Sequence, residues 1–175
     1  GSTLSYGVGN ALSPRIKAGE TYDVNVGTSD GNTNIFLNGI DYMRSIGDFT
    51  DKSLGETFNL SGARLTTFHV DGNEVVEFRP TGMTITAPLL QELVLKRVAS
   101  LVGGLDLSIL LKLRMLNLVG TMLSSVVLPA TEYLEEVHLP GTLTSLSLDQ
   151  QPNLRTITLE GADRMQSLSI GAGIA

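Results

Sequence analysis

The chain has 175 residues, with 12 Lys and Arg against 18 Asp and Glu, a formal charge of −6 and a pI near 4.8. That balance argues against a general nucleic-acid or anionic-membrane binder, because phosphate contacts need clustered cations. With no cysteine, disulfides, thiolate catalysis and Cys-ligated zinc are excluded together, and no apolar run approaches the ~20 residues of a membrane-spanning helix.

Read from the start, GSTLSYGVGN lacks the basic-then-apolar layout of a signal peptide, and Gly1-Ser2 reads as an expression scar. The chain is therefore expected to be a piece of a longer protein. NALSPRIKAGE is turn-rich and irregular. TYDVNVG (Thr21 to Gly27) and TNIFLNG alternate apolar and polar residues around TSDGN, which predicts a β-hairpin. GIDYMRSIGDF (Gly39 to Phe49) fits either one helical turn or a bent strand. Residues 1–45 are thus expected to form an irregular segment and hairpin cap, and residues 46–175 a separate repeat region.

From about Leu60 one phrase recurs, apolar-x-x-apolar-x-apolar. It occurs as Leu65/Phe68/Val70, Leu90/Leu93/Leu95, Val102/Leu105/Leu107, Leu113/Leu116/Leu118 and Leu123/Val126/Leu128. It continues as Leu134/Val137/Leu139, Leu143/Leu146/Leu148, Leu154/Ile157/Leu159 and Met165/Leu168/Ile170. A poor copy, Val75/Phe78/Pro80, fills the first gap, and the stretch from Val75 to Pro88 is irregular. The last two apolar residues of each phrase share one face of a strand. The first lies where the chain turns inward.

A unit of about 11 residues leaves room for a short strand and a corner, and two units make a coil of about 20–23 residues, within the leucine-rich range. Both halves of the coil carry the same phrase, so the expected fold is mainly β: a leucine-rich-repeat-like β-solenoid with two short parallel strands per coil. Stacking buries a shared leucine column that no single coil could bury alone. Pro129 and Pro140 follow the last leucine of a strand, where a missing N–H does least harm. A helix over residues 102–128 is the rival reading, because LSILLKLRMLNLVG is rich in helix formers. It fails because the strand phrase runs through it in register. The chain ends in SLSIGAGIA without a polar cap, so its last coil is expected to be covered by further chain or by a partner.

Candidate chemistry is sparse. His69 and His138 fall at outward strand positions and read as exposed sheet residues. SDGNTN (Ser29 to Asn34) and DGNE (Asp71 to Glu74) lack the ligand spacing of a calcium loop and read as turns. YGVG and VGGLD have no following Lys-Ser/Thr for a phosphate loop. TEYLEE gathers Glu132, Glu135 and Glu136, but adjacent carboxylates on a strand point to opposite faces, so a solvated acidic corner is expected. No catalytic, cofactor-binding or metal-binding residue is assigned. The candidate interaction surface is the outward strand row: Val94, Asn117, His138 and Thr158 on one sheet, and Asp106, Val127, Ser147 and Ser169 on the other. These side chains suit lateral packing in an assembly more than a tight ligand pocket.

LPGTLTSLSLDQQPNLRTITLEG, with the earlier GIDYMRSIGDFTDKSLGETFNLSGARLTTFHV, resembles leucine-rich-repeat-like segments of very large virion proteins in crAss-like gut bacteriophages. The likeness spans roughly residues 35–170. It lies in the SIGDF phrase, the LDLS phrase at Leu105 to Ser108, and alternating LP and QPNL units. Bacterial leucine-rich-repeat surface proteins are similar more broadly. The resemblance implies a tail or portal-proximal structural role in a virion, no catalytic residues, and no cofactor. The expected function is a non-enzymatic module contacting protein partners or other segments of its parent, with the C-terminal end as an assembly contact. The alternatives are a bacterial surface or secreted adhesin for a host protein or glycan, and, last, a β-solenoid glycan-cleaving enzyme.

Overall fold

The computed structural model describes residues 2–7, 22–27, 34–37, 57–61, 65–73, 78–161 and 163–171, the first three spans as backbone strands. Fourteen strands follow in order: β1 (Ser2–Gly7), β2 (Tyr22–Gly27), β3 (Asn34–Leu37), β4 (Thr57–Ser61), β5 (Thr67–Asp71), β6 (Gly82–Thr86) and β7 (Glu92–Lys96). Then come β8 (Val102–Asp106), β9 (Met115–Asn117), β10 (Met122–Val127), β11 (Glu136–Leu139), β12 (Ser145–Leu148), β13 (Thr156–Leu159) and β14 (Ser167–Ile170). No helix occurs among the described residues, and LSILLKLRMLNLVG forms corner turns around β9.

From β2 onward the strands alternate between two sides of a β-solenoid, with β1 beside β2, and all pairings are parallel. One side is a continuous six-stranded sheet in the order β13-β11-β9-β7-β5-β3. The other side is broken into three ladders, β1-β2-β4-β6, β8-β10 and β12-β14. Single backbone bonds span the breaks: the Val102 amide donates to the Thr81 carbonyl at 3.0 Å, and Thr144 to Ser124 at 3.0 Å. On the continuous side Thr67 pairs with Glu92, Glu92 with Met115, Met115 with Glu136 and Glu136 with Thr156, giving coils of 25, 23, 21 and 20 residues. The 25-residue coil exceeds the expected length because its extra residues sit on the corner between Asp71 and Gly82.

The repeated phrase does what its spacing predicts. Leu93, Leu95, Leu116, Leu118, Val137 and Leu139 are fully buried, as are the corner leucines Leu90, Leu113 and Leu134. Each such side chain contributes about 1.5–3 kcal/mol by leaving water. At the wide end Phe78 packs edge-on to Phe58, ring centroids 5.1 Å apart, and against Phe68 at 6.4 Å.

Three expectations are corrected. TYDVNVG and TNIFLNG do form β2 and β3, but they do not pair as a hairpin. β2 lies between β1 and β4 on one side, and β3 beside β5 on the other. The stretch from Val75 to Pro88 holds the regular strand β6, whose inward residues are Met83 and Ile85, so the true phrase is Pro80/Met83/Ile85. Val102 is 48% exposed, and Leu101 faces inward in its place. A register shift between Leu123 and Ser125 in β10 sets Gly103 opposite Leu123, which leaves β8 one residue short and turns Val102 outward beside Met122. Residues 10–20, Gly39 to Phe49 and most of SDGNTN lie outside the described residues.

After each strand of the continuous sheet the chain turns at a second aligned position, Gly72, Arg97, Gly120 and Gly141. The amide of Gly72 donates to Lys96 at 2.8 Å, holding one coil on the next. Contact here is close. A Cβ at Gly120 would lie 2.8 Å from Arg97 Cα, and one at Gly141 would overlap the Glu160 carbonyl. Arg97 adopts φ 59° without being glycine. Its guanidinium grips Asp71 in two places, Nε to Oδ1 at 2.9 Å and Nη2 to Oδ2.

Candidate functional site

Both outward rows foreseen from the sequence exist, in different degrees of order. On the continuous sheet Val94, Asn117, His138 and Thr158 stand in one straight row, each paired in register with the next. On the broken side Asp106 pairs with Val127 and Ser147 with Ser169, but the two pairs belong to separate ladders. The polar members are satisfied close at hand. Asn117 Oδ1 accepts from the Val119 amide at 3.1 Å, and His138 Nε2 lies 2.7 Å from Glu136 Oε2 on its own strand. Ser147 and Ser169 both donate to Asp149 Oδ2, at 3.3 and 2.6 Å. Asp106 accepts from the Ser108 amide at 2.9 Å, and the hydroxyl and amide of Ser108 hold its carboxyl below the ordinary range. The histidines are about one quarter exposed. Desolvation by burial lowers the His69 pKa, opposed by the Glu92 carboxylate 3.6 Å away.

The described part of DGNE, Asp71 to Asn73, is a turn: the Asn73 amide donates to Asp71 Oδ1 at 3.0 Å. The Arg97 hydrogen bond holds the Asp71 carboxyl below the ordinary range. Among the described residues no group of three or more His, Asp or Glu side chains is placed to hold a metal ion, and no helix is long and apolar enough to cross a membrane.

A groove lies elsewhere among the described residues, beside the corner leucines Leu90, Leu113, Leu134 and Leu154. Because these side chains point inward, the residues on either side of each point out. Those that follow form one file, Thr66 (after Leu65), Gln91, Arg114, Glu135 and Arg155. Their backbones are bonded coil to coil, each amide donating to the carbonyl one coil back at 2.8 to 3.0 Å. Those that precede form a second file, Leu89, Lys112, Tyr133 and Asn153. Here Lys112 Nζ sits 4.7 Å from the centre of the Tyr133 ring, and Asn153 Nδ2 donates to the Glu132 carbonyl at 2.9 Å. Between the files runs an open groove of about 700 Å³, parallel to the stacking axis, with Glu132 on its rim.

Charge in the groove is largely cancelled within the first file and its strands. Arg114 reaches Glu92 at 3.4 Å and Glu135 at 3.9 Å, and Arg155 reaches Glu135 at 3.7 Å. Arg114 is 46% exposed, so each pair is worth only about 0–1 kcal/mol. The ladder therefore sets side-chain direction more than stability. TEYLEE, read as a solvated acidic corner, supplies Glu132, Tyr133 and Glu135 to this groove, while Glu136 turns to His138. The sequence reading missed the groove. Its only signal is the pair of residues flanking each corner leucine, which line up once coil length is known. Comparison with protein-family models, curated proteins and solved structures finds no match.

Proposed function

We propose that this chain is a non-enzymatic structural and protein-interaction module of a larger bacteriophage virion protein, acting in a tail or portal-proximal assembly. One observation carries the reading. In the last described coil three inward positions are partly uncovered: Ile157 is 37% exposed, Leu168 49% and Ile170 56%. β13 and β14 are also edge strands, each with one unpaired side. An apolar cross-section framed by two open parallel edges is a contact surface, since such edges recruit strands and such area seeks burial. A further coil in the same register, from the parent protein or an assembly partner, would satisfy both. The resemblance to phage virion segments supplies the setting.

Sedimentation over a wide concentration range tests the contact. The expected result is association that Leu168→Asp with Ile170→Asp abolishes; a strict monomer at high concentration counts against it. The virion setting is checked by the parent gene, which is expected beside capsid and portal genes.

A further inference from the structure

We infer that the corner groove binds an uncharged, linear oligosaccharide lying along the stacking axis. This inference concerns a different surface from the assembly contact and does not rest on it. Its first support is periodicity. Successive coils rise by about 4.8 Å, close to the length of one pyranose unit in an extended glycan. The groove therefore offers a pair of side chains on each of three successive coils, Leu89/Gln91, Lys112/Arg114 and Tyr133/Glu135, with Thr66 and Asn153 on the coils at either end.

The second support is chemistry. A sugar presents hydroxyls that both donate and accept, and a C–H face that packs on aromatic rings. Gln91 and Asn153 carry amides that do both, and the Glu132 carboxylate accepts. Tyr133 is 46% exposed, leaving much of its ring for a sugar face. The volume is in the range of small-ligand clefts, about 300–1,000 Å³.

Other occupants fit less well. An extended peptide draws affinity from main-chain bonds to a free sheet edge, but the backbone of the Thr66 to Arg155 file is already bonded between coils. An amphipathic helix needs an apolar stripe, and Leu89 and Tyr133 are the only large apolar side chains in the lining. An anionic polymer needs unopposed cations; Arg114 faces Glu92 and Glu135, and Lys112 sits over Tyr133.

The test is titration of the 175-residue chain with cello-, malto-, xylo-, manno- and chito-oligosaccharides of increasing length, read by calorimetry and ligand-observed NMR. At least one series is expected to saturate. Its affinity should rise with each sugar up to the five coils that line the groove and level off beyond, with little change between low and high salt. Tyr133→Ala is expected to weaken binding about tenfold or more, and Gln91→Ala several-fold, with the circular-dichroism spectrum unchanged. Asn153→Ala gives the same reading if Tyr133→Ala disturbs the fold. The inference is overturned if no neutral series saturates at millimolar concentration. It is equally overturned if sulfated or uronic oligosaccharides are preferred in a salt-sensitive way, or if binding survives these substitutions unchanged.

Discussion

Leu146 and Leu148 in β12 are 4% and 2% exposed, whereas Leu168 and Ile170, their in-register partners one coil later in β14, are 49% and 56% exposed. The two segments carry the same phrase, SLSL and SLSI, on the same side of the solenoid. What differs is the next coil. Among the described residues β12 has one stacked on it and β14 does not. Burial in this fold is therefore a property of neighbours, and the phrase stabilises only when it is covered on both sides. Interior coils hold the stability, and the last described coil leaves Leu168 and Ile170 half in water.

The sharpest way to break this comparison is truncation at matched positions. Leu116→Ala, in the fully buried column of the continuous sheet, is expected to cost about 2–5 kcal/mol in urea unfolding. Leu168→Ala is expected to cost less than about 1 kcal/mol in the same experiment, since that side chain is half in water already. Equal losses would mean that the terminal coil is as well covered as the interior.

Glycines at the aligned turn sharpen the same contrast. Gly141→Ala drives a methyl group into the Glu160 carbonyl of the next coil, and a loss of about 1–3 kcal/mol is expected. Gly161, one coil later, has nothing within 4 Å of an added Cβ, so Gly161→Ala carries only the strain of its φ of 51°, about 1–2 kcal/mol. Thermal unfolding of the two variants should place Gly141→Ala lower.

Acid supplies a smaller effect, confined to the interior. His69 has a depressed pKa, so the unfolded chain takes up its proton first, and stability falls as pH drops below the ordinary value of 6.5. Asp71 is also depressed, by Arg97, so its contribution is full above the ordinary value of 3.8 and is lost as pH falls through its folded pKa. Unfolding across pH is expected to show two descending steps. His69→Gln should remove the upper step, and Asp71→Asn should shrink the lower, to which the depressed Asp106 carboxyl also contributes.

Much of the fold was legible because the phrase encodes side-chain direction directly: Leu93 and Leu95, or Val137 and Leu139, can share a face only in a strand. The failures have local causes. Alternation in TYDVNVG and TNIFLNG marks each as a strand but does not say which strand it pairs with: β2 pairs with β1 and β4, and β3 with β5. Val102 was misplaced because a bulge in β10, twenty residues on, sets which residue of β8 faces inward. Buried polar groups at the corners were invisible too. Gln151, in DQQPN, is 3% exposed and donates Nε2 to the Pro129 carbonyl at 2.9 Å, and Thr131 donates to the Leu111 carbonyl at 2.7 Å. The outward rows could be named in advance because they alternate with the leucines. The groove could not, because Gln91, Arg114 and Glu135 become neighbours only after coils of 23 and 21 residues fall into register.

Amide hydrogen exchange of the monomeric, dilute chain tests the central claim most directly. The account predicts strong protection for β7, β9 and β11 in the continuous sheet, fading through β13 to rapid exchange in β14. Protection in β14 equal to that of β9, in a chain shown to be monomeric, would contradict it.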